Sequence, residues 1–231
     1  MPDRLPAAVA APRERPVVLI VTDSLGFPRP EPECVTYLGT YVARLRDAFP
    51  HYEIVHYGHG GATIERLFEY TSYFRGTVSP VACFVQSGVV DCAPRALTEV
   101  ELQVIKRLPV VGGLLGRAVQ RHAATIRRLR KLSYTPLDRY EATVRRFEEA
   151  FGAVHWITIP PPSATYESAV PGMTAQVDRY NAVLARRSHI STADFADAEM
   201  MSDHHHLSGA GHYKLFGRLR AVLTTLDAKS S

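Results

Sequence analysis

Three side chains that together could activate an alcohol for attack on an ester lie near opposite ends of this 231-residue sequence. Ser24 follows an apolar run near the start, whereas Asp203 and His206 lie near the end in an Asp-x-x-His spacing. A serine hydroxyl becomes an effective nucleophile when an imidazole accepts its proton and a carboxylate orients that imidazole. The short spacing predicts that Asp203 reaches the ring of His206 within one loop. Ser24 must be brought to them by the fold.

The segments around these residues resemble those of the SGNH (GDSL-like) hydrolases. The resemblance rests on Thr22-Asp23-Ser24-Leu25, on Gly61, on Gly88-Val89-Val90-Asp91, and on Asp203 to His206. It implies that Ser24 is the nucleophile, that His206 transfers the proton and that Asp203 orients His206. It also implies a serine esterase or acyl hydrolase (EC 3.1.1-type), with an ester of a small metabolite or saccharide as substrate.

The same resemblance implies an oxyanion hole, and one of its donors is missing. The backbone N–H groups of Ser24 and Gly61 match two of the family's donors. Val90 occupies the position of the family's third donor, an asparagine side chain. Loss of one such donor in another serine hydrolase lowers turnover by about 10²–10³. Gln86 and Asn181 are candidate replacements.

Residues that follow the Gly88 turn are candidates for substrate binding, namely Val90, Asp91 and Arg95. Asp91 and Arg95 are four residues apart, but Pro94 between them disfavours a regular helix. Two roles remain open for this pair: a structural ion pair, or recognition of an anionic substrate at the rim of the site.

The sequence predicts no metal and no cofactor. Three consecutive histidines at 204–206 cannot all point at one ion from a single turn, and no ligand spacing typical of zinc accompanies them. Gly58, Gly60 and Gly61 superficially resemble a phosphate-binding loop. The full dinucleotide pattern and a following Gly-Lys-Ser/Thr are absent.

Short apolar runs alternate with amphipathic segments along most of the chain, and 46% of its residues are hydrophobic. This alternation predicts a three-layer α/β/α doubly wound sandwich with a parallel, about five-stranded sheet. Ligands bind beyond the carboxyl ends of such strands, where Ser24, Gly61 and Gly88 fall. The predicted strands are 17–21, 54–57, 81–86, 154–159 and 190–195, and the predicted helices are 35–48, 64–73, 139–151, 175–187 and 210–226.

We expect one domain over residues 17–231, preceded by a disordered extension over 1–16. The extension is rich in Pro, Ala and Arg and is typical of neither a signal peptide nor a membrane span. Cys34, Cys83 and Cys92 lack metal-ligand spacing, so we expect reduced thiols and a cytoplasmic location.

The basic charge of the chain is concentrated in residues 102–131, which contain eight Lys or Arg and no acidic residue. The rest of the sequence therefore carries a net charge of about −4. An apolar stretch at 108–115 leads into a basic helix predicted to begin near Arg117, and the whole segment is expected to be an insertion or lid. It could be a solvated helix face, or it could dock on an anionic carrier, saccharide or membrane surface. Nucleic acid is not expected, because the patch lacks interleaved aromatics.

Two other functions fit the same residues. An acyltransferase would use the same acyl-enzyme on Ser24 with a hydroxyl acceptor in place of water. A non-catalytic binding protein on the same frame would explain Val90.

Overall fold

Five parallel strands form the sheet at the centre of the molecule. The computed structural model describes residues 15–108, 111–130 and 132–230. The strands are β1 (Val17–Thr22), β2 (Glu53–Gly58), β3 (Ala82–Gln86), β4 (Val154–Ile157) and β5 (His189–Ile190). They lie in the order β2-β1-β3-β4-β5, so β1 pairs with a neighbour on both sides. The parallel α/β architecture predicted from the apolar runs is confirmed.

Helices cover both faces of this sheet. Those of the described residues are α1 (Tyr41–Ala48), α2 (Ile64–Tyr70), α3 (Val89–Cys92), α4 (Glu99–Arg107), α5 (Val111–Arg121), α6 (Ala123–Arg130), α7 (Leu137–Phe151), α8 (Ala164–Ala169), α9 (Met173–Leu184) and α10 (Gly209–Ser230). Side chains alternate along β1, so Val18 and Ile20 pack towards α1 and α10, whereas Leu19 and Val21 pack towards α2, α7 and α9. The result is the predicted three-layer sandwich.

Several predicted element boundaries are wrong by a few residues. The helix predicted from Val35 begins at Tyr41, because residues 37–39 form a 3₁₀ turn and Thr40 caps the true helix through a bond from the Ala43 N–H. The strand predicted over 190–195 ends at Ile190. Beyond it, Thr192 bonds to Thr158 through side-chain hydroxyls, which replaces the regular backbone ladder.

The basic segment folds as helices rather than as an apolar stretch feeding one helix from Arg117. It comprises most of α4 together with α5 and α6, and residues 109, 110 and 131 lie outside the described part of the chain. The chain on either side of this segment is joined by one antiparallel bridge between Arg95 and Leu132. No helix among the described residues is both long and apolar enough to cross a membrane.

The extension predicted over 1–16 lies outside the described residues except at its end. Arg15 forms an ion pair with Glu53, and the Pro16 carbonyl accepts the N–H of Glu53. These last two residues are therefore held against β2.

Gly211 sets how closely α10 approaches the loop that precedes it. A Cβ built at Gly211 would lie 2.1 Å from the backbone oxygen of Glu199, which also accepts the Ser208 N–H. Gly217, six residues further along the same helix, has no atom within 4 Å of its added Cβ. The first glycine is therefore required by packing, and the second is not.

We predict opposite effects for alanine at these two positions. Gly211→Ala should lower the free energy of unfolding by about 1–3 kcal/mol, because backbone must shift to admit the methyl group. Gly217→Ala should raise it by about 0.5–1 kcal/mol, because alanine loses less conformational entropy in a helix. Urea unfolding followed by circular dichroism measures both, and equal effects would contradict the packing described here.

Candidate active site

The fold brings Ser24 and His206, 182 residues apart, into hydrogen-bonding distance. Ser24 Oγ lies 3.0 Å from His206 Nε2, and His206 Nδ1 lies 2.7 Å from Asp203 Oδ2. His206 is largely buried, whereas Ser24 and Asp203 are partly exposed. The three groups form a continuous chain from hydroxyl to imidazole to carboxylate. This is the arrangement that makes a serine nucleophilic.

The loop that carries Asp203 and His206 is shaped by the Asp203 side chain itself. Its Oδ1 accepts the backbone N–H groups of His205 and His206, each at 3.1 Å, and its Oδ2 is left for the ring. His204, which lies between Asp203 and His205, takes a left-handed backbone conformation with φ of 63°. The Met201 N–H donates to the His206 carbonyl at 2.8 Å and closes the loop. One carboxylate therefore folds the loop and orients the imidazole.

Ser24 begins a 3₁₀ turn directly after β1. The Asp23 N–H donates to the Gln86 carbonyl, and the Asp23 carboxylate accepts the Leu25 N–H at 3.0 Å. Asp23 therefore braces the turn, and the bonds of its carboxylate within the described chain do not include His206. Gly26 is needed next, since an added Cβ would lie 2.4 Å from Thr22 Oγ1.

The backbone N–H groups of Ser24 and Gly61 are the two candidate oxyanion donors. Neither the Ser24 N–H nor the Gly61 N–H has an acceptor within the described part of the chain. Gly61 has φ of 73°, and the neighbouring Gly60 is close enough that its Cβ would lie 4.0 Å from Ser24 Cβ. The loop after β2 therefore runs beside Ser24. Val90, which supplies no side-chain donor, lies half-buried in the short helix α3.

The two candidate replacements for the missing asparagine differ in availability. Asn181 is committed elsewhere: its amide accepts the Ile159 N–H and donates to the Ile159 carbonyl, both at 2.8 Å. Gln86 accepts from the Tyr41 hydroxyl at 2.8 Å, while its buried Nε2 has no acceptor among the described residues. Gln86 Nε2 therefore makes no bond within the described chain, whereas Asn181 Nδ2 already donates one.

Asp91 and Arg95 do not pair with each other. The carboxylate of Asp91 is fully buried and accepts bonds from the Ile64 N–H and from the hydroxyls of Ser87 and Thr135. Arg95 instead donates from Nη2 to the Val90 carbonyl at 3.3 Å. This geometry gives Asp91 a bracing role, tying the start of α2 to the loop after β3, and leaves Arg95 as the one of the two that can meet a ligand.

The charges around His206 favour its neutral form. Burial lowers the pKa of His206. The Asp203 carboxylate opposes this shift, and electrostatic repulsion from His205 and Arg29 reinforces it. Burial raises the pKa of Asp203, but hydrogen bonds from His206 and from the His205 N–H outweigh it, so this pKa falls below its ordinary value. A neutral imidazole beside an ionised carboxylate is ready to accept a proton.

Asp203, His205 and His206 also form a group whose potential metal-ligand atoms lie within 4.8 Å of one another. The sequence reasoning gave no metal here. His206 Nδ1 and Asp203 Oδ2 already bond to each other, and His205 Nδ1 lies 2.7 Å from the Asp203 carbonyl oxygen. An ion ligated by these atoms would remove Asp203 from His206, so the geometry serves proton transfer better than metal binding.

Sequence reasoning missed two neighbours of the triad. Tyr166 stacks on His205 with ring centroids 5.8 Å apart, and it lines a small cleft with His204 and residues 160–162. Glu33 accepts the Ser202 N–H and so supports the same loop. Neither lies in a segment that matches a motif, and both reach the site through tertiary packing alone.

The carboxyl group of Asp23 is buried near a second carboxyl group, that of Asp91. Burial raises the pKa of Asp23 to about 7, the Leu25 N–H opposes the shift, and the nearby Asp91 adds to it. A carboxyl group whose pKa is raised in the folded state binds more protons folded than unfolded. Its contribution to stability therefore declines as pH rises from its unfolded pKa towards 7.

We predict that Asp23→Asn stabilises the protein at pH 8 and not at pH 4. Asparagine keeps the acceptor for Leu25 and carries no buried charge, so the gain should grow with pH to an upper bound of about 4 kcal/mol. Chemical unfolding at pH 4, 6 and 8 measures it, with exposed Asp178→Asn as the control. A gain that does not depend on pH would contradict the burial of a titrating carboxyl group.

Sequence comparisons give no family assignment: no protein-family model matches this chain, and no curated protein matches it significantly. Structural comparisons find proteins of similar fold. A lipase/acylhydrolase from Enterococcus faecalis is similar with a TM-score of 0.60 and 13% identity, over 88% of this chain and 93% of that chain. TesA is similar with a TM-score of 0.55 and 15% identity, over 91% and 99%.

A variant of an acetyl xylan esterase from Geobacillus stearothermophilus is also similar, with a TM-score of 0.52 and 16% identity, over 88% of this chain and 92% of that chain. At such identities the likeness concerns the fold. The chain has the parallel α/β fold of SGNH hydrolase structures.

Proposed function

We propose that the protein is an SGNH-type serine hydrolase that cleaves an ester, an acyl or acetyl group, from a small metabolite or saccharide. The observation that carries this proposal is the unbroken hydrogen-bonded chain from Ser24 through His206 to Asp203. No cofactor is needed for this chemistry. The similarity in fold to acyl hydrolases and to an acetyl xylan esterase supports both the reaction class and the saccharide ester.

In the proposed reaction, Ser24 Oγ attacks the ester carbonyl while its proton passes to His206 Nε2. The tetrahedral intermediate then expels the alcohol, which takes that proton, and an acyl-serine remains. Water enters, gives a proton to His206 and attacks the acyl group. Collapse releases the carboxylic acid and restores the Ser24 hydroxyl. Asp203 keeps the ring oriented and stabilises its protonated form.

The negative charge on the intermediate's oxygen would be held by the Ser24 and Gly61 N–H groups. With Val90 in place of an amide, this hole has two donors unless Gln86 contributes its free N–H. One missing donor corresponds to about 10²–10³ in turnover. We therefore propose an enzyme whose turnover of simple esters is modest.

Val90 also supports the second candidate, a non-catalytic binding protein, and the acyl-enzyme would serve an acyltransferase equally well. Product analysis with and without hydroxyl acceptors separates hydrolysis from transfer. The anionic carrier or membrane surface for residues 102–131 and the cytoplasmic location stay predictions.

Covalent labelling tests the nucleophile directly. We expect a fluorophosphonate to modify Ser24, with labelling abolished in Ser24→Ala and reduced at least about tenfold in His206→Ala, because the hydroxyl then lacks its base. Intact-mass spectrometry and peptide mapping give the site. Exposed His189→Ala is the matched control and should label like the wild type. Folded protein that does not label would favour the binding protein.

The rate of ester cleavage should fall in acid at a pH set by His206. Because the pKa of His206 lies below 6.5, the acid limb of kcat/KM should lie below pH 6.5, with activity lost as His206 becomes protonated. Asp203→Asn should lower kcat by about 10³–10⁴ and move the limb to lower pH, since the carboxylate stabilises the charged ring. Rates with an activated acetyl ester from pH 4 to 8 measure both. A limb above pH 7 would contradict this.

A further inference from the structure

Two half-buried arginines, Arg95 and Arg127, carry charge that no acidic side chain of the described chain neutralises. The Nε atom of each is buried and has no acceptor among the described residues. Neither forms an ion pair there, in contrast to arginines such as Arg130 and Arg187. Guanidinium groups stay charged at all physiological pH values and bind carboxylate and phosphate through paired N–H groups.

Arg95 is fixed next to the candidate oxyanion region. Its Nη2 donates to the Val90 carbonyl at 3.3 Å, and its guanidinium lies 4.1 Å from the centre of the Tyr134 ring. Its backbone N–H donates to the Leu132 carbonyl at 2.8 Å. These contacts use one edge of the guanidinium. Nη1 is not buried and has no acceptor within the described residues.

Arg127 is held at the end of α8. Its Nη1 donates to the Ala169 carbonyl at 3.0 Å, and its Nη2 has no acceptor in the described part of the chain. Arg127 and Pro94 line a cavity of about 490 Å³, together with Gln176 and Arg179. Arg127 therefore borders this cavity directly, and Arg95 adjoins it through its chain neighbour Pro94.

Tyr166 connects these arginines to the triad. Its ring stacks on His205, the neighbour of His206. Tyr166 lies in α8, whose last residue Ala169 accepts the bond from Arg127, and it lines a cleft with Val89, the neighbour of the Val90 whose carbonyl accepts the bond from Arg95. Burial raises the pKa of Tyr166, and the charges of Arg95 and Arg127 act against that shift. A ligand that extends from Ser24 past Tyr166 would therefore meet both charges.

The acidic groups of this region are already occupied. Glu167 lines the same cavity, but its oxygens accept the N–H groups of Gly172 and Thr174 and the Thr174 hydroxyl. Asp91 is fully buried and bonded on both oxygens, and burial raises the pKa of Asp23 to about 7. None of these carboxyl groups forms an ion pair with Arg95 or Arg127, whose guanidinium bonds within the described chain go to backbone carbonyls.

We propose that Arg95 and Arg127 form a subsite for an anionic group, a carboxylate or a phosphate, on the ester substrate. This inference rests on the proposed function and narrows its substrate to charged esters, such as acetylated uronates or sugar phosphates. The subsite would bind the charge beside the triad while Ser24 attacks the acyl group. Both arginines position the substrate and take no part in proton transfer.

Three acetylated sugars that differ only at C6 test the subsite: a methyl glucuronoside, a methyl glucoside 6-phosphate and a methyl glucoside. Acetate release should give a kcat/KM at least about tenfold higher for one of the two anionic esters than for the neutral one, as expected for a charge-assisted hydrogen bond. The preference should shrink with added salt. Whichever anionic ester is preferred distinguishes carboxylate from phosphate.

Variants identify the residues responsible. Arg95→Gln and Arg127→Gln should each remove most of the preference, by raising KM for the anionic ester more than KM for the neutral one. Arg95→Lys should retain part of the preference, because the charge remains. Arg145→Gln is the matched control, since Arg145 is exposed on α7 and contacts Glu141. Equal kcat/KM for charged and neutral esters in the wild type would overturn the proposal.

Binding of the deacetylated sugars gives a readout that does not need turnover. Ligand-observed NMR should detect the uronate or the sugar phosphate with wild type and not with Arg95→Gln, and it should not detect the neutral glucoside with either. Fluorophosphonate labelling of the same preparations separates the two failures. Labelled Ser24 without charge selectivity overturns the subsite alone. Unlabelled, folded protein overturns the hydrolase, and selective binding then still supports the anionic subsite.

Discussion

The candidate site depends on the Asp203 carboxylate, which performs two tasks at once. One oxygen accepts two backbone N–H groups and folds residues 203–206, and the other holds the His206 ring for Ser24. Because the same group determines the loop and the orientation of the ring, it cannot lose one role without affecting the other. This coupling holds the imidazole in place although the loop around it has little regular structure.

The rest of the fold delivers Ser24 to that ring. Strand β1 lies between β2 and β3, so its carboxyl end opens between the loops that carry Gly61 and Gly88. Gly88 has φ of 135°, and an added Cβ would lie 2.4 Å from Ile159 Cδ1. Asp91 then ties the following helix to α2. At Gly88 the loop after β3 therefore packs against the Ile159 side chain more closely than a larger residue would allow.

Local signals predicted much of this, and tertiary contacts explain what they missed. Apolar runs bounded by turns located the strands, and the short spacing of Asp203 and His206 indicated their pairing before the fold was known. The helix predicted over 35–48 wrongly included Leu38, which lies in a 3₁₀ turn and is 76% exposed. Tyr166 and Glu33 could not be found from sequence, because each reaches the site from a segment without a motif.

The buried carboxyl groups of Asp23 and Asp91 affect the electrostatic potential at Ser24. A second ionised carboxylate beside the nucleophile would oppose the negative charge that develops on the substrate oxygen. Two such groups lie near, and burial raises the pKa of both, to about 7 for Asp23 and to about 6 for Asp91. Arg29 adds positive charge near His206. In the proposed hydrolase, which has two backbone donors for the oxyanion, less negative charge near Ser24 would contribute more to stabilising the transition state.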